Sequence, residues 1–430
     1  MNSLPDEIVS IIVTKVTAHE LAKLSRACKR LNRLAEPLLW TNIEFHHHTF
    51  HQACDLKKPS PIASASHRFY HWDTEYPGQC KAEKFFEMLQ DLLLEDIDRL
   101  KKLCSRVESI CTVVRSKTDF WRILPYFTNV KALELYGDSS YFDQDAHRSF
   151  CQPATVLTKL RHVKLDGSIP LAVAKWILES YSTVERLELG LLDKPIESRA
   201  TMEDDFQRLP EYIYSPPEDP TYGRLRGWAV IPRPLSGFLP FHKDATSLRL
   251  PRLRHVHLCQ LSQSNLSARM VSYFWSTSAE VSAHKNWENI LQASCETLET
   301  LSVEQQIGIE HGDGAVDDAE GFFRSDQDGL GSERLMIMLE RALTARKFPA
   351  LKRVYLRGIV VGSKERGEPI GDVPGGRFMR FLLTKGIACE ARLGEGYWFD
   401  GDDGTGPPAE WDARDDDWEE ELLASVGSQQ

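Results

Sequence analysis

The sequence lacks any uninterrupted apolar run of about 18 residues, the length that a membrane-spanning helix needs. Its first ten residues, MNSLPDEIVS, carry acids but no basic residue, so we predict no secretory signal. The nine cysteines are scattered and form no C-x-x-C pair, which indicates reduced thiols rather than a disulfide framework. These absences favour a protein of the cytoplasm, the nucleus or both, without a membrane partner.

Basic residues are too few to balance the acids, since 52 lysines and arginines stand against 63 acidic residues, a net charge of −11. Most of the excess lies in one segment, because residues 400–421 hold eleven acids and a single arginine. The rest of the chain is nearly neutral and gives no indication of a nucleic-acid partner. We predict that residues 396–430 form an acidic, disordered tail.

Motifs that would indicate catalysis or a bound cofactor are also missing. No G-x-S-x-G elbow, H-E-x-x-H or dinucleotide fingerprint occurs. Residues 371–378 resemble a phosphate loop but have Phe378 where a hydroxyl is needed, so they are predicted to form a turn. One group of histidines lacks the carboxylate or thiolate partners of a typical metal site: His46, His47, His48, His51, His67 and His71. We therefore expect no catalytic, cofactor-binding or metal residues, although a Cys/His pair distant in sequence stays an open alternative.

Residues 1–45 have the periodicity of three short amphipathic helices. A capping box, Ser3-Leu4-Pro5-Asp6, precedes apolar residues at helical spacing. A second box at residues 17–20 begins a longer apolar stripe, which we expect Pro37 to interrupt. A unit this small cannot bury all of its leucines. We therefore expect the apolar surface that stays exposed to bind helices of another protein.

The string LPDEIVSIIV…HELAKLSRACKRLNRLAEPLLW resembles an F-box, through its Leu-Pro opening, its Glu-Leu start to the second helix and its Pro-Leu-Leu-Trp ending. The resemblance, to F-box proteins of the fungal type with degenerate leucine-rich repeats, implies a substrate-recognition subunit of an SCF-type E3 ubiquitin ligase. It implies that the F-box binds the SCF adaptor protein and, through it, cullin. The residues implied to form or support that interface are Leu4, Pro5, Ile8, Leu21, Leu24, Leu31, Leu38, Leu39 and Trp40. The alternative is an N-terminal helical cap on a larger fold.

Residues 46–104 are interpreted as a linker followed by a capping helix. The linker covers residues 46–80, and the apolar spacing predicts one long amphipathic helix over Lys81–Val107. Terminal units of a repeat array need a cap, so this helix is expected to seal the N-terminal end of the core.

A short pattern recurs in residues 105–395, in which an amphipathic helix precedes an L-x-x-L-x-L strand. Triplets begin at Val130, Leu160, Val184, Leu253, Leu298 and Leu351, with a weaker candidate at Val107. One strand cannot cover the apolar stripe of its helix, so stacked units are expected. The pattern resembles an irregular leucine-rich-repeat solenoid, an α/β fold with parallel strands on the concave face and helices outside. The alternative is an ordinary α/β domain with crossover helices.

The longest gap between triplets, 69 residues, contains an insertion rich in proline and aromatic residues near residues 205–245. Aromatic side chains on a loop held by a scaffold are good binding anchors. The candidates for binding a protein target are Tyr212, Tyr214, Tyr222 and Trp228. Packing of these rings back onto the solenoid is the alternative.

The leading functional hypothesis is a non-catalytic adaptor that holds an unidentified protein target within a ligase. Two other classes stay open. One is an F-box scaffold or interaction protein without a ubiquitylation role, and the other is an enzyme whose site lies hidden in residues 105–395.

Overall fold

A computed structural model describes residues 4–16, 18–45, 77–114, 120–137, 156–167, 169, 171–191, 250–261, 277–310, 329–357, 359, 361, 374–392 and 396–399. It begins with three helices: α1 (Asp6–Val13), α2 (Ala18–Ala27) and α3 (Lys29–Leu39). Cys28 separates α2 from α3 by taking an extended conformation, and its Sγ accepts a hydrogen bond from the Leu31 amide at 3.5 Å. The break between the second and third helices is thus a cysteine N-cap.

The boundaries of these helices differ from the prediction in two places. Pro37 lies inside α3 and does not interrupt it, because the helix extends only two residues further and loses little hydrogen bonding. The N-cap of α1 is Pro5, which makes no side-chain cap. The expected capping box is therefore wrong for the residues described, and the Asp6 carboxylate contacts α3 instead.

Strands that pair in parallel make up the centre of the body. They are β1 (Asn42–Glu44), β2 (Ser109–Val114), β3 (Ala132–Gly137), β4 (His162–Gly167), β5 (Arg186–Leu191), β6 (His255–Leu261), β7 (Thr300–Glu310), β8 (Arg353–Arg357), β9 (Ala388–Arg392) and β10 (Gly396–Phe399). Strands β1 to β9 follow one another across the sheet in chain order, and β10 pairs with the last part of β7. No reversal of strand order occurs along β1–β9, unlike in a doubly wound α/β fold.

The predicted triplets occupy equivalent positions in this sheet. Each begins two residues before a strand, and its last two apolar residues lie within that strand. Leu133 of β3 pairs with Val163 of β4, which in turn pairs with Leu187 of β5. The weaker candidate at Val107 leads into β2 in the same way. The prediction of parallel strands at these positions is confirmed, and the chain-ordered sheet is consistent with a repeat solenoid.

Helices pack against the apolar side of the strands to form one continuous core. They are α4 (Pro77–Glu95), α5 (Ile97–Cys104), α6 (Phe120–Ile123, followed by a 3-10 turn over Leu124–Tyr126), α7 (Leu171–Leu178), α8 (Thr277–Ala293), α9 (Gly329–Ala345) and α10 (Pro374–Thr384). Phe86, Trp176 and Phe378 are among the largest fully buried side chains of this core. In the part of the chain that is described, no helix has the length and apolarity to cross a membrane.

Three further segments differ from the prediction. The helix expected over Lys81–Val107 is two helices, because Asp96 ends α4 and caps α5, accepting a hydrogen bond from the Arg99 amide at 3.0 Å. The turn expected at residues 371–378 is wrong from Pro374 onward, where α10 begins. Residues 396–399, the first of the predicted disordered tail, form β10. The rest of that tail lies outside the described residues.

Candidate docking site

The first helix presents apolar side chains to solvent. Leu4, Ile8 and Ile11 are 36%, 44% and 60% exposed. Their spacing of four and three residues places them on one side of α1, and Pro5 is exposed beside Leu4. Val9 and Val13, on the other side, are each 2% exposed. The helix therefore buries one apolar side and leaves a second one open.

Beneath this helix lies a small core of its own, centred on Val9, Val13, Leu21 and Ala35. Leu21 is only 7% exposed, so it supports the surface from beneath. The other leucines predicted for the interface are half-buried around this core: Leu24, Leu31, Leu38 and Leu39. Of the predicted interface residues, Leu4, Pro5 and Ile8 are thus the most accessible.

An ion-pair cluster ties the start of α1 to α3. The Asp6 carboxylate lies 2.7 Å from Nε of Arg30 and 2.5 Å from Nη2 of Arg33. Nη2 of Arg30 also donates a hydrogen bond to the Leu4 carbonyl oxygen. The hydrogen bond from Arg30 and the positive charge of both guanidinium groups lower the pKa of Asp6, which is therefore ionised at neutral pH.

Trp40 points toward the body of the protein. Its ring centroid lies 5.6 Å from that of Phe85 on α4, and Phe85 contacts Phe86 at 5.3 Å. Phe86 in turn contacts Phe120 of the main core at 4.8 Å. Trp40, which the F-box resemblance implies forms or supports the adaptor interface, also belongs to an aromatic chain that joins the N-terminal helices to the sheet.

Backbone hydrogen bonds strengthen this junction. The Thr41 carbonyl accepts hydrogen bonds from the amides of Glu108 and Ser109, at 2.8 and 3.1 Å. Strand β1 follows directly and pairs with β2, so the chain passes from α3 into the sheet without an intervening linker. The N-terminal helices are therefore anchored to the body by main-chain bonds.

A second cluster lies on the sheet face opposite the core helices, where alternate strand residues point. It comprises seven buried ionisable residues, which we call the buried charge cluster: Glu134, His162, Lys164, Arg186, Glu188, His257 and Glu304. Four of them pair in one row across β3 to β6: Glu134, Lys164, Glu188 and His257. Each of the seven is 9% exposed or less, so this cluster is not an open surface.

Glu188 is the hub of the buried charge cluster. Its carboxylate oxygens lie 2.6 Å from Nε of Arg186 and 3.2 Å from Nζ of Lys164. They also lie 3.2 Å from Nε2 of His162 and 3.8 Å from Nδ1 of His257. The other ring nitrogen of His257 is 3.0 Å from Oε2 of Glu304. One carboxylate thus connects strands β4, β5 and β6, and His257 extends the network to β7.

Burial and charge act in opposite directions on this network. Burial raises the pKa of Glu188, but the charges of Arg186 and Lys164 outweigh it and hold that pKa well below its usual range. Burial lowers the pKa of His257, yet its hydrogen bonds with Glu188 and Glu304 outweigh burial and raise it. Opposite charges paired across strands in this way are typical of a structural ion network.

The buried charge cluster was not anticipated from the sequence. A usable signal was present, because the residue between the last two apolar positions of each triplet is ionisable in several repeats, as at Glu134, Lys164 and Glu188. The apolar positions of the triplets do not by themselves indicate these ionisable residues. Among the described residues, no group of three or more His, Cys, Asp or Glu side chains could hold a metal ion.

Two sets of residues singled out in the sequence lie outside the described residues. They are the candidate target-binding aromatics Tyr212, Tyr214, Tyr222 and Trp228, and the histidines at 46–48, 51, 67 and 71. The described strands on either side of the segment that contains the insertion are β5, which ends at Leu191, and β6, which begins at His255. These two strands are neighbours in the sheet.

Comparison with known proteins identifies the N-terminal segment. Residues 1–46 match the family model described as F-box-like. No curated protein matches the chain. The match supports an F-box protein, whose F-box-like domain comprises the three helices and the strand that joins them to the sheet. The prediction of an F-box is confirmed for this segment.

Proposed function

We propose that this protein is a substrate-recognition subunit of an SCF-type E3 ubiquitin ligase and acts in the cytoplasm, the nucleus or both. The F-box-like domain binds the SCF adaptor protein and, through it, cullin, while the body binds a protein target. The chain itself is a non-catalytic adaptor. The observation that carries this proposal is an F-box-like domain in which Leu4, just before α1, and Ile8 and Ile11 on α1 are exposed.

The exposed side of α1 supplies a reason for adaptor binding. Removing one large apolar side chain from water stabilises a complex by about 1.5–3 kcal/mol when burial is complete. Leu4, Ile8 and Ile11 are 36–60% exposed, so a partner that covers them gains the corresponding fraction of this free energy from each side chain. Helices of another protein offer a complementary apolar surface for such a patch.

The anchored junction supports the second part of the proposal. An adaptor accelerates ubiquitylation by proximity, since it raises the effective concentration of the target near the charged enzyme. A flexible linker between the docking domain and the target-binding body would lower this effective concentration. Here the Thr41 carbonyl, the Trp40 ring and strand β1 connect the two parts without such a linker.

We further propose that the body is a degenerate leucine-rich-repeat domain and that the insertion between β5 and β6 provides the target anchors. Two observations support this: the triplets recur in register along a chain-ordered parallel sheet, and the strands before and after the insertion in the chain, β5 and β6, are adjacent in the middle of that sheet. A target held there contacts Tyr212, Tyr214, Tyr222 or Trp228.

The competing function is an F-box scaffold that binds the adaptor but delivers no target for ubiquitylation. Pull-down of the full chain mixed with purified adaptor and cullin separates the two. Recovery of adaptor and cullin together supports the ligase subunit, whereas recovery of adaptor without cullin supports the scaffold. Failure to recover either protein contradicts both functions.

A further inference from the structure

The start of α1 is held in place by a long-range contact. Pro5 is the N-cap of this helix and makes no side-chain cap, so no local contact of that kind fixes Leu4. The Leu4 carbonyl instead accepts a hydrogen bond from Arg30, 26 residues further along the chain. Asp6 in turn holds the Arg30 guanidinium through Nε at 2.7 Å. Leu4, exposed at the edge of the patch, is thereby connected to α3.

We propose that Asp6, acting through Arg30, is a positioning residue that holds Leu4 in the orientation required for adaptor docking. This inference rests on the proposed function, since it concerns the same surface. The Asp6 side chain need not touch the adaptor for this role. Its carboxylate orients Arg30, and Arg30 fixes the backbone from which the Leu4 side chain projects.

The geometry separates this role from a contribution to overall stability. The side chains of Asp6 and Arg30 are 39% and 30% exposed, and exposed ion pairs contribute little to the free energy of unfolding. An interface residue that is already ordered, in contrast, avoids an ordering cost when it binds. Loss of the pair is therefore expected to weaken adaptor affinity by roughly three- to tenfold while thermal stability changes little.

The test uses the full chain and purified SCF adaptor, with affinity measured by calorimetry. The variants are Asp6→Asn, Arg30→Gln and the two combined. Glu7→Gln is the matched control, because it removes the same charge from the same first turn, from an exposed side chain. Hydrogen exchange of the Val9 amide in the free chain reports the local order, because this amide donates to the Pro5 carbonyl at the start of α1, and denaturant unfolding checks the fold.

We expect Asp6→Asn and Arg30→Gln each to lower the affinity for the adaptor. Because the two residues act as one pair, the combined variant should have about the same affinity as the single variant that binds more weakly. Glu7→Gln should bind like the unaltered chain. Exchange of the Val9 amide should quicken in Asp6→Asn, Arg30→Gln and the combined variant, with no loss of global stability. Equal affinity of Asp6→Asn and the unaltered chain would overturn the positioning role while leaving the proposed function intact. If the unaltered chain does not bind the adaptor at all, the proposed function fails, and the docking role of Asp6 fails with it.

Discussion

Nη1 of Arg106 lies 2.6 Å from Oε1 of Glu36, and this ion pair joins α3 to the turn that leads into β2 across 70 residues of sequence. Next to it, the Thr41 carbonyl accepts the amides of Glu108 and Ser109. The pair therefore lies at the point where the F-box-like domain meets the sheet. It contributes to the junction that, under the proposed function, keeps adaptor and target at a fixed distance.

Replacing Glu36 with Gln should loosen this junction without unfolding the protein. Both side chains are partly exposed, so the expected loss in the free energy of unfolding is about 1 kcal/mol or less. Hydrogen exchange of the Glu108 and Ser109 amides should quicken, because their acceptor at Thr41 is held less firmly. Arg341→Gln removes a remote ion pair, between the exposed Arg341 and the largely buried Glu288, and serves as the control. Identical exchange in both variants would contradict the role assigned to Glu36.

Replacing Glu188 with Gln should destabilise the protein strongly. The variant leaves Arg186 and Lys164 buried without their shared carboxylate, and breaking a buried pair in this way costs about 3–5 kcal/mol. Glu185→Gln is the matched control. Glu185 directly precedes β5, its side chain is 48% exposed, and its Oε1 lies 3.6 Å from Nε of Arg161. Its cost should stay below about 1 kcal/mol. Denaturant unfolding of both variants measures the difference, and equal costs would remove the hub role of Glu188.

The contribution of His257 to stability should depend on pH. Its folded-state pKa is raised above the ordinary value of 6.5, so protonation favours the folded protein. The stabilisation is therefore fully present below pH 6.5 and is lost as the pH rises through the folded-state pKa. The gap in unfolding free energy between the unaltered chain and His257→Gln should be widest at pH values below 6.5 and should narrow above it. A gap that widens with rising pH would show that His257 is buried in its neutral form.

Secondary structure could be predicted from the sequence where a pattern of side chains is compatible with only one kind of element. The triplets from Val130 to Leu351 predicted strands because alternate apolar residues must share a face, and all six lie in register. Strand β9 was missed because its residues, Ala388–Arg392, contain no such triplet. It forms because β8 offers an open edge for pairing, which no local pattern records.

The site was predictable only in part for a similar reason. The apolar residues of α1 could be assigned to a helix, but their division into a buried and an exposed side depends on where α2 and α3 pack. Asp6 was assigned to a local cap, whereas its partners are Arg30 and Arg33 on a different helix. Likewise, Trp40 contacts Phe85 across a long stretch of intervening sequence. Pairings between distant residues of this kind are set by the tertiary fold.

The most direct test of the account is the affinity of the full chain for the SCF adaptor protein with Leu4→Ala and Pro5→Ala combined. We expect this double variant to lose adaptor binding while its body stays folded, because it removes the exposed start of the docking surface. Leu94→Ala is the control, since Leu94 is 78% exposed on α4, outside the F-box-like domain, and its loss should leave affinity unchanged. Unchanged affinity in the double variant would contradict docking through this surface.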